Sequence, residues 1–380
     1  MNRAGSYVTN LTGEAAYQSF QPNPLPPEPK LVIDEQLAGL AAEANRQLAK
    51  LDMVAQLVAS TDLFISMYVR KEALISSQIE GTQCTLDDVL DPEADVNVNL
   101  DVSDVVNYVK ATQYALKRLN TLPLCSRLIR EVHAVLMEGV RGQEKTPGEF
   151  RNTQNWIGPE NCSLKDARYI PPNVQDMEKA MTDLERYMNE NNEYDPLIRV
   201  ALIHYQFETI HPFLDGNGRI GRLLILLYLM EQKMLCKPVV YISYFLKKNQ
   251  VEYYDRISEV RRKGNYEQWV KFFLEAVSKA AADSMESIQQ LSALHDRNLA
   301  LLPETRRGRN NVRAVFDYIE QHPIIDIKRT AAELDISYNT AASAVKKLVE
   351  LGILQETTNA ARNRVFAYEE YLAILRKDTV

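Results

Sequence analysis

The sequence is poor in cysteine. Its 380 residues include four cysteines, which show no CxxC pair and no spacing typical of a metal site. Disulfide-stapled domains and structural zinc sites depend on such patterns. We therefore expect neither a disulfide framework nor a zinc site, and we predict a reducing cytoplasm as the compartment. The four residues are Cys84, Cys125, Cys162 and Cys236.

Long hydrophobic runs are missing as well. The longest apolar stretch, residues 223–230, is far shorter than the roughly 18 residues that a membrane-spanning helix needs. The N-terminus has one early arginine but no apolar segment of the kind that a signal peptide carries. The sequence thus predicts a protein without a membrane partner.

Positive charge is also in short supply. Lysine and arginine number 44 against 51 aspartates and glutamates, which gives a formal net charge of −7. This balance argues against a general coat for nucleic acids or anionic membranes, although it allows one local basic patch. Apolar residues at 46% and charged residues at 25% are ordinary for a globular protein, and the length predicts roughly two to three domains.

The chain divides into segments of different character. Residues 1–35 are predicted to be an arm of polar coil, whose five prolines within 21–30 favour an extended strap over the surface rather than a recognition peptide. From 36 to 298 apolar residues recur at helical spacing, so we predict a helical core. Residues 148–172 interrupt this pattern with glycine and proline and predict a long loop or short hairpin, which is often functional. A charged stretch, 299–311, is predicted to be a linker, and its arginines are Arg306, Arg307 and Arg309.

The C-terminal segment, residues 312–380, has the pattern of a small separate domain. Three short helical segments come first, with Ser337 placed to cap the third and Gly352 placed to end it. Two strand-like segments follow, at 353–357 and 364–368. Three helices followed by a hairpin are typical of a winged helix-turn-helix domain.

The charge of this C-terminal segment bears on its partner. Polar and basic side chains on the third helix and in the turn after it could read a major groove of DNA. However, nine lysines and arginines face ten aspartates and glutamates, and a net charge of −1 is poor for binding phosphates. We therefore place protein docking or self-association as a homodimer ahead of DNA binding. The side chains in question are Tyr338, Asn339, Thr340, Ser343, Lys346, Lys347, Arg362 and Arg364.

One short segment between two apolar helices carries the chemistry. Gly216, Asn217 and Gly218 allow a tight turn with positive φ, which exposes backbone N–H groups. The next helix starts at about Gly218 and adds free N–H groups and a partial positive charge, so turn and helix make an anion site suited to phosphates. Arg219 and Arg222 share a face of its first turn, which is unfavourable without an anion between them. The pattern indicates a polyphosphate ligand.

Two titratable side chains belong to the same segment. Asp215, at the edge of the phosphate loop, can hold one Mg²⁺, which commonly takes one or two carboxylates and completes its shell with phosphate oxygens and water. His211, with an unshifted pKa, is suited to accept a proton from an incoming hydroxyl. Taken singly, these features are more often a turn, a cap or a solvated face. Together they are the parts that phosphoryl or nucleotidyl transfer needs, and they leave open whether the α- or the γ-phosphate is attacked.

This segment resembles the signature of the Fic family, His-x-Phe-x-(Asp or Glu)-Gly-Asn-Gly-Arg-x-x-Arg. The resemblance implies a Fic arrangement over most of 36–298 and transfer of AMP from ATP, because the family attacks the α-phosphate and releases pyrophosphate. A kinase-like branch of the family carries lysine at the position of Gly218, so this glycine disfavours phosphate transfer. The fixed positions are filled by His211, Phe213, Asp215, Gly216, Asn217, Gly218, Arg219 and Arg222.

The resemblance also implies a role for each residue. His211 would deprotonate a tyrosine, threonine or serine of a target protein, and Asp215 would bind the Mg²⁺ that bridges the α- and β-phosphates. Arg219 would assist the phosphates, Arg222 would hold the γ-phosphate, and Phe213 would anchor the loop in the core. The anion hole would consist of the Asn217 side chain and the backbone amides of Gly216, Asn217 and Gly218.

A flap hairpin precedes the motif in Fic proteins and registers the target segment by β-pairing. The resemblance implies that residues 163–172 supply this flap, with Tyr169 and Ile170 on its return arm. An ordinary surface loop is the alternative.

A second Fic feature is an inhibitory helix with the pattern Ser or Thr, three of any, Glu, then Gly or Asn. Ser76, Glu80 and Gly81 match it, at the end of a predicted helix near 61–81. Alone, Glu80 would be a solvated carboxylate at a helix end. The resemblance implies that Glu80 pairs with Arg222, so that this arginine cannot hold the γ-phosphate and ATP binds with its α-phosphate turned wrongly for attack.

The sequence thus predicts a mainly α protein with a Fic-type helical core, a short β-hairpin flap and a winged helix-turn-helix domain. The predicted function is a protein adenylyltransferase that uses ATP and Mg²⁺ to modify a target protein or its own tyrosines. Another nucleotide donor, or AMP removal with Glu80 positioning water, stays open. A DNA-binding regulator that senses nucleotide with the same core is the alternative of a different class, and an intact His211 argues against it.

Overall fold

Helices account for most of the residues described in the computed structural model, so the mainly α prediction is confirmed. The structure describes residues 2–58, 61–91, 99–140, 144–159, 162–190, 193–303, 310–358 and 364–377. No helix within these ranges is long and apolar enough to cross a membrane. The four cysteines are free thiols.

The core helices follow the predicted pattern, with additions. Three of them, α3, α9 and α10, were not predicted, because the first two are short and α10 is mostly polar. The core helices are α1 (Glu35–Leu57), α2 (Thr61–Ile79), α3 (Leu86–Leu90), α4 (Leu100–Leu119), α5 (Ser126–Leu136), α6 (Val174–Asn189), α7 (Pro196–Ile210), α8 (Asn217–Glu231), α9 (Ser243–Lys248), α10 (Gln250–Lys263) and α11 (Tyr266–Leu299).

Helix α7 lies at the centre of the core. Each of its residues from Leu197 to Ile210 is buried, as expected for a helix surrounded by others on every side. Asp195 caps it by accepting a hydrogen bond from the Leu197 amide, and Pro196 occupies its first turn, where its missing N–H costs nothing. Helix α7 packs against α8, which is buried over most of its length. The loop between them, residues 211–216, is therefore held between two buried helices.

The N-terminal arm contains a β-hairpin, so the prediction of polar coil was wrong for it. Strands β1 (Gly5–Asn10) and β2 (Tyr17–Pro22) pair antiparallel, with Tyr7 opposite Phe20. Phe20 is fully buried. A lone hairpin is marginal in water, and this one is stabilised by contacts with distant segments that the local sequence does not reveal. Residues 23–34, which hold most of the prolines, form no regular structure.

The C-terminal unit contains the predicted helices and hairpin and two elements more. Ser337 caps the third helix by accepting a bond from the Thr340 amide, and Gly352 has a φ of +74°, both as predicted. Strand β3 and the last helix were not predicted. The winged helix-turn-helix assignment stays a prediction; Arg306, Arg307, Arg309 and Arg362 lie outside the described residues. The elements are α12 (Asn311–Ile319), β3 (Ile324–Asp326), α13 (Ile327–Glu333), α14 (Tyr338–Glu350), β4 (Gln355–Glu356), β5 (Val365–Ala367) and α15 (Glu369–Arg376), with antiparallel strand order β3-β5-β4.

Candidate active site

A pocket of about 620 Å³ lies where α8 begins, and it collects most of the predicted site residues. Its remaining wall comes from β1, α10 and the segment 144–169, and of these only the last carried a sequence signal for a site, in its predicted loop and flap. The predicted residues that line it are Glu80, Tyr169, His211, Asp215, Gly216, Asn217, Gly218 and Arg222. Those that were missed include Tyr7, Lys145, Trp156, Glu208, Tyr254 and Arg261.

The backbone of the loop differs from the expected turn. Positive φ occurs at His211 (+52°), which ends α7, and at Gly216 (+74°), which precedes α8. Asn217 and Gly218 belong to the first turn of α8, so the prediction of positive φ was wrong for both. Their amides are among the first N–H groups of a helix, which have no partner within the helix and favour anions. The anion site is thus the N-terminus of α8, and Gly216 is the residue with positive φ that leads the chain into this helix.

The side chain of Asn217 braces the loop. Its Oδ1 accepts a hydrogen bond from the Phe213 amide, and its Nδ2 donates to the Phe213 carbonyl, both at 2.8 Å. These two bonds close the loop and leave the side chain buried. The side chain is thus engaged with the Phe213 backbone in this structure, and its role in the anion hole stays a prediction.

His211 is a neutral imidazole in this environment. Burial, followed by the neighbouring guanidiniums of Arg261 and Arg151, lowers the pKa of His211 to about 3, so the assumption of an unshifted pKa was wrong. Its Nδ1 is buried and has no hydrogen-bond partner among the described residues. A neutral ring with a free nitrogen can accept a proton, as the predicted base must.

Two side chains that the sequence did not single out hold the backbone of His211. Arg151 Nε donates to the His211 carbonyl at 3.0 Å, and Asn155 Nδ2 donates to the same oxygen at 3.1 Å. The Arg151 guanidinium also donates to the carbonyls of Thr153 and Pro172. The buried Arg151 guanidinium thereby joins the loop 211–216 to the segment that precedes α6.

Phe213 anchors the loop in the core, as predicted. It is fully buried and stacks on the ring of His133 with centroids 3.7 Å apart and planes 3° apart. His133 Nδ1 accepts the Gly148 amide, so its Nε2 carries the proton and donates to the Asp215 carbonyl at 3.1 Å. Burial lowers the pKa of His133 to about 4, which keeps this bridge neutral.

Asp215 is placed to hold a cation. Its Oδ2 lies 2.8 Å from Lys145 Nζ, and its Oδ1 accepts the Gly216 amide at 2.6 Å. Burial would raise the pKa of Asp215, but the bonds from Lys145 and Gly216 hold it below its usual value. No cluster of three or more potential ligands exists among the described residues. One ionised carboxylate beside a phosphate site fits Mg²⁺, which takes few protein ligands.

Arg219 does not reach the pocket wall. Its Nη1 lies 3.1 Å from Asp104 Oδ1, its Nη2 contacts the sulfur of Met137, and both members of the ion pair are buried. Its charge is thus balanced by a carboxylate from α4. Its Nη2 also lies 3.9 Å from Asp215 Oδ1, and its role at the phosphates stays a prediction.

Arg222 is held by the end of α2, as predicted. Its Nη2 donates to Glu80 Oε1 at 2.7 Å and to the Ser76 carbonyl at 2.9 Å, and its Nε donates to Ser76 Oγ at 2.8 Å. The guanidinium is almost fully buried, whereas the Glu80 side chain is 37% exposed. Arg222 and Glu80 share one hydrogen bond rather than a two-bond fork, and Ser76 accepts from Nε and Nη2.

The Glu80 carboxylate lies directly over the first turn of α8. A Cβ on Gly218 would stand 2.1 Å from Glu80 Oε1, so only glycine leaves room for this carboxylate. Gly81 has a φ of +98°, which ends α2 sharply at this point. Glu80 therefore fills part of the space that an anion at the start of α8 would use.

Glu208 adds a second carboxyl to the pocket. It lies on α7 three residues before His211, and its Oε1 is buried without a partner among the described residues. Burial raises the pKa of Glu208 to about 7. Glu208 was not predicted from the sequence, because a glutamate on an otherwise apolar helix matches no motif.

The segment predicted as the flap, residues 163–172, forms a single antiparallel bridge with Ile157, which precedes it, and its role as a flap stays a prediction. Ile157 and Tyr169 exchange both backbone hydrogen bonds, at 2.8 and 3.0 Å. Tyr169 is buried, its hydroxyl donates to the Thr209 carbonyl at 2.6 Å, and the Arg261 guanidinium covers its ring at 3.6 Å. The Ile170 carbonyl accepts the Phe20 amide at 3.0 Å. Both residues of the return arm are thus engaged within the chain.

Comparison with family models matches two parts of the chain. Residues 38–117 match the model described as Fic/DOC family N-terminal, and residues 123–229 match the model described as Fic/DOC family. The second range includes the loop 211–216, and the first includes Glu80. The N-terminal hairpin, α10 and the C-terminal unit lie outside both.

Curated relatives agree with these matches. The chain is 29% identical over 183 residues to the "Protein adenylyltransferase Fic" of Drosophila grimshawi, which covers 46% of this chain and 34% of that protein. It is 29% identical over 185 residues to the protein of the same name from Culex quinquefasciatus, with 48% and 33% covered. The chain thus spans about a third of the length of the curated relatives it matches.

A solved structure shares the fold. A Fic family protein from Desulfovibrio desulfuricans G20 superimposes with a TM-score of 0.56 and 20% identity. The similarity covers 89% of this chain and 97% of that one, so it extends well beyond the two matched ranges.

Proposed function

Since the chain carries both the N-terminal and the Fic domain of the Fic/DOC family, we propose that it transfers AMP from ATP to a tyrosine, threonine or serine hydroxyl of a target protein. The observation that carries the proposal is one pocket that combines a neutral histidine, an ionised aspartate, unpaired helix-terminal amides and a buried arginine. Relatives named protein adenylyltransferase support the same reaction. Self-modification and other nucleotide donors use the same chemistry.

The transfer is one displacement at phosphorus. The acceptor oxygen attacks the α-phosphorus, the bond to the bridging oxygen of the β-phosphate breaks, and pyrophosphate leaves. His211 takes the proton of the acceptor hydroxyl. The amides of Asn217 and Gly218, and that of Gly216 once it leaves Asp215 Oδ1, stabilise the charge on the phosphate oxygens, and Arg222 neutralises the outer phosphates. Asp215 would hold Mg²⁺, which supplies further positive charge for the phosphates.

Glu80 is proposed to inhibit this reaction within the same chain. Its carboxylate contacts Arg222 and covers Gly218, so it competes with the phosphates for the same cation and the same helix terminus. A carboxylate at a helix N-terminus is itself favourable, which makes the inhibited state stable without a ligand.

We expect Glu80→Gly to raise transfer and His211→Ala to abolish it. Full-length wild type and both variants are incubated with Mg²⁺, a cell lysate and ATP radiolabelled on its α-phosphate, and labelled protein is measured after electrophoresis. Glu350→Gly is the matched control, because Glu350 also lies at the end of a helix but far along the chain in α14. A parallel series with label on the γ-phosphate separates AMP transfer from phosphate transfer.

The outcomes separate the inhibitor from the reaction. Equal labelling by wild type and Glu80→Gly would contradict the inhibitory role alone. No labelling by any form would contradict the proposed transfer and favour another donor, AMP removal or a sensor function. Labelling that persists in His211→Ala would contradict the assignment of the base.

A further inference from the structure

A lysine that matches no motif lies against Asp215. Lys145 Nζ is 2.8 Å from Asp215 Oδ2, and the other carboxylate oxygen, Oδ1, accepts the Gly216 amide at 2.6 Å. One carboxylate therefore separates the ammonium group from the amide that begins the anion site. All three residues line the pocket that contains His211. The ammonium group thus lies beside the space that the phosphates of ATP would use.

The backbone that follows Lys145 is held by the core, whereas its side chain is half-exposed. The Gly148 amide donates to His133 Nδ1 at 2.9 Å, and the Arg151 amide donates to the Pro212 carbonyl at 2.9 Å. The Lys145 side chain is 43% exposed and has a flexible four-carbon stem. The ammonium group can therefore change its partner while the backbone stays in place.

Lys145 and Arg222 are each paired with a carboxylate in this pocket. Asp215 pairs with Lys145 at 2.8 Å, and Glu80 pairs with Arg222 at 2.7 Å. Both members of the first pair are partly exposed, and exposed ion pairs contribute little to stability. A metal cation held by Asp215 would repel the ammonium group, because like charges at short range repel each other. Another anion in the pocket would then be its favourable partner.

We propose that Lys145 is a phosphate-binding residue, which pairs with Asp215 in the ligand-free protein and moves to the outer phosphates of ATP when Asp215 binds Mg²⁺. This inference rests on the proposed AMP transfer. In that reaction the electron pair of the broken bond leaves with pyrophosphate. The ammonium group neutralises the charge that develops on this leaving group, together with Arg222, and no proton has to move.

Nucleotides of different length test the proposal, because AMP lacks the outer phosphates. All proteins carry Glu80→Gly, which frees Arg222, and calorimetry measures their affinities for ATP and AMP with Mg²⁺. We expect Lys145→Met to bind ATP about tenfold more weakly and AMP unchanged, since a charged contact to the outer phosphates is lost. Lys263→Met is the matched control, because Lys263 also forms an ion pair of 2.8 Å, with Glu259, but does not line the pocket. It should change neither affinity.

Removing Asp215 distinguishes phosphate binding from simple neutralisation of this carboxylate. In Asp215→Asn, a lysine that only balances the aspartate has nothing left to balance. The single variant Asp215→Asn and the double variant Asp215→Asn, Lys145→Met are compared in EDTA, so that no metal takes part. We expect the double variant to bind ATP about tenfold more weakly than the single variant. Lys145→Arg, which keeps the charge beside an intact Asp215, should bind ATP as the parent does.

Two results would overturn the proposal. One is equal affinity for ATP in the two proteins that carry Asp215→Asn, which would leave neutralisation of Asp215 as the role of Lys145. The other is an equal change of ATP and AMP affinity in Lys145→Met, which would show that the outer phosphates are not its partner.

Labelling with α-labelled ATP separates this proposal from the reaction itself. If the Glu80→Gly parent binds ATP but labels no protein, the proposed AMP transfer fails, and the affinities still decide the role of Lys145. If the parent labels proteins and Lys145→Met binds ATP as tightly as the parent, only the role of Lys145 is wrong.

Discussion

His211 is held by its backbone while its ring stays available. Its carbonyl accepts bonds from Arg151 and Asn155, and its amide bonds to the Phe207 carbonyl. None of these bonds uses the imidazole. A base positioned in this way keeps its orientation without a carboxylate partner, and it stays neutral because charging a buried ring is costly.

The pH dependence of transfer follows from this environment. Burial lowers the pKa of His211 to about 3, so the ring is already deprotonated across the neutral and mildly acidic range. We expect the rate of the double variant Glu80→Gly, Glu208→Gln to stay level between about pH 5 and about pH 8, because the base does not titrate there and Glu208, whose pKa burial raises to about 7, is removed from the pocket. Initial rates of labelling at saturating ATP measure this. A tenfold fall on lowering the pH through the ordinary value of 6.5 would show that His211 titrates normally.

Some of the site could be predicted at this scale and some could not. His211, Asp215, Glu80 and Arg222 were predicted correctly as neighbours, because each belongs to a motif whose spacing fixes its position. The side chain of Arg219 turns to Asp104, a residue 115 positions earlier on another helix. The direction in which a side chain of the motif points depends on such distant partners, and the sequence alone does not show them.

At the scale of elements, the sequence motif accounts for one wall of the pocket, and other walls come from elements that match no motif. Helix α10 contributes Tyr254 and Arg261, yet its polar sequence did not predict a helix. Strand β2 pairs locally with β1 but was hidden in a segment that looked like coil, since the hairpin is held on the core by distant contacts such as the bond from the Phe20 amide to the Ile170 carbonyl. Local pattern reveals elements with a strong apolar stripe, and it misses elements that are stabilised by tertiary contacts.

Arg151 joins these elements, and its replacement tests how strongly. In Arg151→Lys a single ammonium cannot reach the carbonyls of Thr153, Pro172 and His211 together. We expect the free energy of unfolding to fall by about 2 to 3 kcal/mol, because buried carbonyls lose charged donors. Urea unfolding measures this, with Arg168→Lys on the exposed part of the same loop as the control. An unchanged midpoint of urea unfolding would mean that Asn155 alone holds the loop 211–216.

At the scale of the whole molecule, α2 connects the C-terminal unit with the active site. Phe64 near its start packs against Tyr371 of α15 with ring centroids 6.0 Å apart, and Ser76 near its end binds Arg222. The bidentate pair of Asp87 and Arg376 and the bond from Asn298 to the Tyr368 hydroxyl add further contacts. The sequence predicted the three helices and the hairpin of this unit but not β3, α15 or the docking, since the docking contacts join residues about 70 to 300 positions apart.

A buried ion pair lies at the centre of this docking. His295 Nδ1 of α11 is 2.8 Å from both carboxylate oxygens of Glu320, which follows α12, and Phe64 and Phe316 pack against the imidazole. The hydrogen bond to Glu320 raises the pKa of His295, and burial raises the pKa of Glu320. Both groups therefore hold protons more tightly in the folded state than in the unfolded state.

Stability should fall as the pH rises through the raised pKa of His295. A group that binds its proton more tightly when folded stabilises the fold fully below its unfolded pKa, here 6.5, and loses that contribution above its folded pKa. We expect the free energy of unfolding to be lower at about pH 8 than at about pH 6, and the double variant His295→Gln, Glu320→Gln to show a smaller difference. Urea unfolding of both proteins at the two pH values measures it. Because the pair joins α11 to α12, hydrogen exchange should locate the loss there, and an equal pH effect in the double variant would assign it to other groups.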